Sequence, residues 1–569
     1  MGFDGILYAS RALTANQAAL DITGENLARM NEAGYTRQRL QPQVGPATPL
    51  PLTPTIGVGP GGPLFPGNGV ERFRDVLLDR TIRAQANVLA GAQTSATIFR
   101  QADAIFNESV KAGINKASTA LIDAVQQAAV NPNDIPSRTL VLDRANTLAA
   151  TFADYANQVQ NLRLEAGTRA TNAVTEANGI LARLADMNAE IPDRASAETN
   201  RLLDQRDLLL DRLSEIIDIE VAVQPQGDIV VYQSAVPLVF GKTARSLSLT
   251  QDLTGAGVIT TDTGKTLSNP GAAVGALLDA KNVGLKGFAD QLDTLANATM
   301  TEVNRRLANS YDLNGNAGAA LFSGTSAITM QVALNDPRQL GFATASLQST
   351  ESMAATGFTV DASQPLSTQN ANLGNPLTAA SGTIVVNGTA INWNDTQSIN
   401  QILANFPPGV MATFDAARQR IVLRRDPAQG NSGPDLTVSE TSGDLLNAFR
   451  LTTATLNKGV PGDAGGARSI VALNTTPVLG VPPSQSINQG IQALVQSVAL
   501  TASRNSNAAE TAQRLQDALL TEREQVSGVN SDEEAVHLVQ YQRAYEAALR
   551  LANAQDEILD TLINRLGVR

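Results

Sequence analysis

No cysteine occurs among the 569 residues, and histidine occurs once, at His537. The first absence removes disulfides, thiolate nucleophiles and cysteine metal sites. The two together leave little for a zinc centre, which usually takes several such ligands, and no metal or cofactor is expected. Basic residues are outnumbered, 42 to 54, for a net charge of −12. A dedicated nucleic-acid binder would need clustered Lys and Arg to displace counterions, so no nucleic-acid partner is expected. There is no run of about eighteen apolar residues, which argues against membrane insertion. The N-terminus, "MGFDGILYASRALTANQ", lacks the basic region, apolar core and cleavage site of a secretory signal. It is no myristoylation site either, since Ile6 stands where Ser or Thr is wanted. If the chain leaves the cell, it does so by a route that keeps its N-terminus, and a cysteine-free chain suits export in an unfolded state.

What is present is helical at both ends and β-rich inside. Ile6, Leu13, Leu20 and Leu27 recur every seven positions. Near the other end Leu538, Tyr545, Ala552, Leu559 and Leu566 do the same, with Tyr541, Ala548 and Leu562 three positions on. A seven-residue repeat gives a narrow seam that faces another helix, not a broad face lying on a core. Ser531-Asp-Glu-Glu534 has the form of a capping box, with an acidic first turn that suits the positive end of the helix dipole. Burying four or five seam side chains yields ~10 kcal/mol gross. Ordering about 27 residues costs ~1–2 kcal/mol each in backbone entropy. An isolated terminal helix is therefore marginal, and each needs a partner.

Between Gln41 and Val70 the chain is crowded with Pro and Gly, which exclude helix and predict an extended connector. Helix returns with "VLLDRTIRAQANVLAGAQ" and runs with breaks to about Pro192, followed by the amphipathic "NRLLDQRDLLLDRLSEIIDI". "VAVQPQGDIVVYQ" then reads as two strands around a turn, within a β region near 220–265. A further helix, "GALLDAKNVGLKGFADQLDTLANATMTEVNRRLANSY", precedes a shift to Thr, Ser, Asn, Ala and Gly after about Asn335. There Asn387-Gly388 is a strong hairpin signal and "SINQILANF" a short helix. The expected fold is mainly α with β-rich insertions, nested and elongated. A coiled-coil-like inner domain would join residues 1–40 to 530–569. A helical-bundle middle domain would take 71–335 and 466–529, with 336–465 an outer α+β domain.

The chemical motifs are weak. His537 lies beside the seam on a regular helix, where no pocket is expected. "GVGPGG" matches a dinucleotide fingerprint only formally, with prolines inside and just after it and no strand before it. "DLNGNAG" starts like a calcium loop from Asp312, but Ala317 and Ser323 occupy the positions that want Gly and Glu, which leaves an Asx-type turn. Glu533-Glu534 and Asp204/Asp207 read as surface charge on solvated helix faces. No enzyme is expected.

The terminal segments resemble the bacterial flagellar axial proteins of rod, hook and hook-associated type. "SRALTANQAALDITGENLARMNEAGYTRQR" is similar to that family's N-terminal motif, although the usual Asn-Thr-Pro-Gly-Tyr is Asn31-Glu-Ala-Gly34-Tyr35 here. Gly34 can still supply a left-handed helix stop. "GVNSDEEAVHLVQYQRAYEAALRLANA" is similar to the C-terminal motif. "GNGVERFRDVLLDRTIRAQ", "LLDQRDLLLDRLSEIIDIEV" and "QLDTLANATMTEVNRRLANSYDLNGNAGAALF" narrow the likeness to the hook-associated members. The resemblance implies a structural role at the distal end of the hook, joining hook to filament. It implies export without cleavage of a signal peptide to an extracellular place on the flagellum. The implied partners are further copies in a ring or helical layer, the hook protein, a second junction protein and through it the flagellin filament, and an export chaperone on the C-terminal helices. The expected assembly residues are Ile6, Leu13, Leu20, Leu27, Gly34, Tyr35, Leu538, Tyr541, Tyr545, Ala548, Leu559, Leu562 and Leu566, with Ser531 and Glu534 as cap. The rival readings are another axial component, of hook or rod type, and a secreted adhesin acting through the 336–465 insert and Trp393.

Overall fold

The computed structural model describes residues 2–40, 70–107, 113–191, 197–225, 227–349, 351–429, 433–452, 455–458 and 462–566. Nearly all of the Pro/Gly connector expected at 41–70 lies outside these residues. In chain order the elements begin with α1 (Gly2–Arg29), β1 (Gln38–Leu40), β2 (Val70–Arg72), α2 (Val76–Phe106), α3 (Ile114–Val130), α4 (Ile135–Glu190) and α5 (Ala197–Ile216). Strands β3 (Glu220–Val223), β4 (Ile229–Gln233), β5 (Val236–Phe240), β6 (Thr243–Ala244), β7 (Leu247–Gln251), β8 (Gly257–Thr261) and β9 (Thr266–Leu267) follow. Helix α6 (Ala272–Asp279) passes through one π-helical turn, Ala280–Gly284, into α7 (Leu285–Ala308). Gly284 in that turn is pressed against the ring of Phe99, where a Cβ would lie 2.5 Å from it.

Strands β10 (Phe322–Ser323) and β11 (Gln331–Val332) precede the insert, which carries β12 (Ala345–Gln348), β13 (Ser381–Val386), β14 (Thr389–Asn394), α8 (Ile399–Ala404), β15 (Val410–Asp415), β16 (Arg420–Arg425), β17 (Val438–Ser442), α9 (Leu445–Ala448) and β18 (Thr455–Lys458). The chain closes with α10 (Gly465–Val471), α11 (Ile487–Ser527) and α12 (Ser531–Leu566). The fold is thus mainly helical with several small sheets, as the alternation of seam and strand patterns predicts.

Two compact units divide the chain: residues 1–100, 163–284 and 502–569 form one, and 101–162 with 285–501 the other. These limits cut across the domain boundaries read from composition. The terminal helices share a unit with α5 and β3–β9, and the insert shares one with α3 and α7. In the first unit, β3-β4-β5-β6 and β7-β8-β9 are antiparallel meanders. Asn178 and Asn188 on α4 tie them down, their amides bonded to backbone at Leu247 and at Ile229 and Gly241.

In the second unit, sheets β15-β16-β12-β18 and β14-β13-β17 share one core with α8 and α9. Asn387-Gly388 turns β13 into β14 with φ of 47° and 81°, the left-handed pair that a two-residue hairpin requires. Ser398 and Gln401 form a reciprocal capping box on α8. Elsewhere in the unit Phe106 meets Tyr155 and Phe288 edge-on, with centroids 5.5 and 6.3 Å apart. Buried Arg138 ties the start of α4 to the loop before β12, donating to the carbonyls of Pro132, Pro337 and Leu340 beneath the Phe342 ring.

Candidate assembly site

Helices α1 and α12 pack on each other antiparallel. Asn26, late in α1, meets Glu534, early in α12, and Ala19 and Tyr541 further along line one small cavity. On α12 the inward positions are Glu534, Leu538, Tyr541, Tyr545, Ala548 and Ala552, alternating at four and three residues, with Glu534 and Ala548 buried and the others half-buried. On α1 the buried residues are Ala9, Ala19, Ile22, Thr23 and Asn26, while Leu13, Leu20 and Leu27 are half-buried. The small Ala9 and Ala19 are among the buried residues, while the three leucines keep part of their surface exposed. Ile6, Leu559, Leu562 and Leu566 lie on the same two helices, but their side chains fall outside the described residues.

The root of the pair is polar. The Asn26 side chain donates to the Gln38 carbonyl at 3.0 Å and to Glu534 at 3.1 Å, and accepts from the Gln38 N–H and the Tyr35 hydroxyl. Arg37 reaches Glu534 at 2.8 Å and Glu533 at 3.0 Å, while its backbone N–H donates to Ser527, the last residue of α11. One arginine therefore touches both sides of the α11–α12 joint. Burial, then the Glu25 carboxylate, pushes the Tyr35 phenol well above its usual range, so it remains a donor to Asn26. Gly34 stands in the left-handed region at φ 80°, in the turn after α1 and not at the helix end itself. A Cβ there would meet the Leu208 side chain at 2.4 Å.

Two expectations are corrected here. The cap of α12 is Asn530, whose Oδ1 accepts from the N–H groups of Asp532 and Glu533. Ser531 is the first helical residue, and Glu534 turns inward to Asn26 instead of back to the cap. The carboxylates Asp204, Asp207 and Glu534 are also not solvated surface charge. Asp204 accepts from the Thr36 hydroxyl at 2.8 Å and from Arg72 at 2.9 Å. Asp207 is held by Arg72 at 2.6 Å, Arg74 at 2.7 Å and Arg83 at 3.3 Å. Asp211 joins Arg83 to Arg523 of α11, and Arg74 also grips Asp79. Arg206, buried beside them, donates to the Gly227 carbonyl in the β3–β4 turn.

The "LLDQRD" stretch is thus the centre of an ion network that joins α5 to β2, α2 and α11. Burial raises the Asp207 carboxyl, but Arg74, Arg72 and Arg83 outweigh it and hold the group below the usual range. Asp204, where burial dominates, is pushed up. A 320 Å³ cleft beside the network is lined by Met30, Tyr35, Leu208, Leu520 and Val529, and its charged walls are paired with one another.

His537 stacks on Tyr541, with centroids 5.9 Å apart, over a cavity of only about 20 Å³ that also touches Glu534. That is room for a water, not a substrate. Asp312 accepts from the N–H groups of Asn314 and Asn316, the Asx turn expected there. Trp393 is buried in the insert's core, with Gly382 and Gly443 against its ring. It lines no binding face. Among the described residues, no helix is long and apolar enough to cross a membrane.

The outer face of α12 carries exposed apolar side chains among its charged ones. Val536, Val539, Leu551 and Ile558 are 66, 47, 48 and 50% exposed. Side chains of that kind gathered along one helix mark a surface that meets another molecule.

Residues 99–322 match the helical domain of flagellar hook-associated protein FlgK, and residues 523–566, covering α12, match the C-terminal family of the flagellar basal body rod proteins FlgEFG. Over these stretches the chain is similar to the hook-associated and rod proteins of the flagellar axial structure. The particular protein that it resembles end to end is flagellar hook-associated protein 1. The Bacillus subtilis protein of that name is 27% identical over 100% of this chain and 99% of its own length. The Salmonella typhimurium and Escherichia coli proteins are each 24% identical over 98% of this chain, and over 99% and 98% of their own lengths. The fold is that of the flagellar hook junction protein FlgK from Burkholderia pseudomallei, with a TM-score of 0.58 and 17% identity over 79% of this chain and 100% of that one.

Asn26, Arg37 and the Asp204–Asp207 network escaped the reading of motifs. The one signal for Asn26 was its seven-residue spacing from Ala19, which puts a polar residue in line with the alanine face.

Proposed function

We propose that this chain is a non-enzymatic structural component of the bacterial flagellum that assembles at the distal end of the hook and forms the junction with the filament. The carrying observation is the α1–α12 pair, closed along one seam and with Val536, Val539, Leu551 and Ile558 exposed on the outer face of α12. Its partners on that face are further copies of the chain, in a ring or helical layer. Hook protein lies on one side of that layer, and a second junction protein with the flagellin filament on the other. An export chaperone covers the same stripe before the chain leaves the cell unprocessed. End-to-end similarity to proteins named hook-associated protein 1 supports this assignment over a rod or hook protein.

Deleting the gene tests it. Cells should still build hooks while releasing unassembled flagellin into the medium, and hookless cells would place the chain elsewhere in the axial structure.

A further inference from the structure

The α1 face of the seam repeats only in part. On α1 it repeats Ala12 and Ala19 at seven-residue spacing, so at that position displacement by one heptad offers α12 the same small, apolar side chain, while Ile22 and Thr23 give way to Ala15 and Asn16. Leu538, Tyr541 and Tyr545 are only half-buried, which lets them adjust to such a change. Apolar repeats of this kind hold helices together without fixing their alignment, and a single polar residue in the seam commonly does the fixing.

One charge lies fully inside the contact. Glu534 is 3% exposed, with one oxygen at Asn26 Nδ2 and the other at Arg37 Nε. A slip of one heptad either way takes Glu534 away from Asn26 or out past the end of α1, and leaves a carboxylate against apolar side chains or without its partners. An uncompensated buried charge is strongly unfavourable. Asn26 cannot follow, because its amide is bonded at both ends to Gln38 of β1.

We propose that Glu534, received by Asn26 and Arg37, is the register-setting residue of the terminal helix pair: it admits one antiparallel alignment of α12 on α1 and excludes those one heptad away. The inference rests on the assembly reading only for its purpose, since one alignment gives every copy the same outer stripe. The alignment itself is a property of the single chain.

The absence of cysteine makes the test clean. With Asn26 opposite Glu534, Ala19 lies opposite Tyr541, and a one-heptad slip brings Ala19 opposite Ala548. Two full-length chains, Ala19→Cys/Tyr541→Cys and Ala19→Cys/Ala548→Cys, report the native and slipped alignments by disulfide formation, each with Glu534, Glu534→Gln or Glu534→Leu. Glu534→Leu leaves Arg37 its bond to Glu533 and Asn26 its bonds to Gln38, so the pair should persist.

With Glu534 only the native crosslink should form. Glu534→Gln, which keeps the hydrogen bond to Asn26, should preserve a preference of tenfold or more. With Glu534→Leu the slipped crosslink should rise to within about threefold of the native one. The proposal is overturned if the slipped crosslink stays at background in Glu534→Leu, or if both crosslinks vanish there, because Glu534 would then hold the pair together rather than align it. It is equally overturned if the Glu534 chain gives no native crosslink. None of these outcomes depends on where the protein assembles, which the deletion strain reads separately.

Discussion

At the residue scale, the root of the terminal pair depends on a few side chains with no freedom to change. Gly34 combines a positive φ with a Cβ position already filled by Leu208. Gly34→Ala should cost about 1–3 kcal/mol, from the left-handed backbone and the displaced leucine. Leu208→Ala on top of it should recover only the steric part, a non-additivity that denaturant titration of all three chains would read. Asp207 sits among three guanidinium groups, so Asp207→Asn leaves them facing one another and should cost about 3 kcal/mol. Its carboxyl is held below the usual range in the folded chain, so it favours folding at neutral pH. That favour fades as the pH falls from the ordinary carboxylate range through the folded value. Asp204, pushed up by burial, acts in the opposite sense and favours folding more as acid protonates it. Urea titrations at neutral and acid pH should therefore show a shallower acid loss in Asp207→Asn than in the unchanged chain.

At the scale of elements, the legible parts were those with a local code. The seven-residue seams located α1 and α12, the Asn-Gly pair located the β13–β14 turn, and "SINQILANF" located α8. What stayed hidden were choices between local and distant partners for the same atoms. Glu534 satisfies the capping-box pattern three residues from Ser531, yet its carboxylate is used by Asn26, 508 positions away. Asp204 and Asp207 look like solvated charge on an amphipathic helix, and only the arrival of β2 and α2 with their arginines makes them interior. A pattern rule sees composition along one helix, and the desolvation that decides the role of a carboxylate comes from elements remote in sequence. The mutual dependence of the terminal helices is open to measurement. Removing residues 530–569 strips the cover from Ala9, Ala19 and Ile22, and protease should then cut α1 faster, while sites in the β13–β18 region keep their rate. Equal rates in α1 with and without α12 would mean that α1 is held by something else.

At the scale of the whole molecule, the insert and the terminal pair lie in different compact units, each with its own core. Trp393→Ala, which empties a large site in the insert, should cost about 3–5 kcal/mol. That loss should appear in the transition of the second unit, followed by fluorescence from a probe there, while assembly by sedimentation should be retained at temperatures where that unit stays folded. Substituting Val536, Val539, Leu551 and Ile558 with Ser should do the reverse. Thermal stability of the monomer should be almost unchanged, since these side chains are already exposed, and self-association should be lost.

The joining of α1 to α12 also sets a timetable. Residues near position 26 and position 534 must meet, and all the chain between them has to be made first. At synthesis rates of about 5–20 residues per second, that interval is roughly half a minute to two minutes. Closing so long a loop is thermodynamically mild, because the entropy cost grows only with the logarithm of its length. The burden is one of waiting. Throughout that interval α1 stands made but unmatched, its alanine seam open to whatever else is in reach, and the unit that begins with the first helix is completed only by the last.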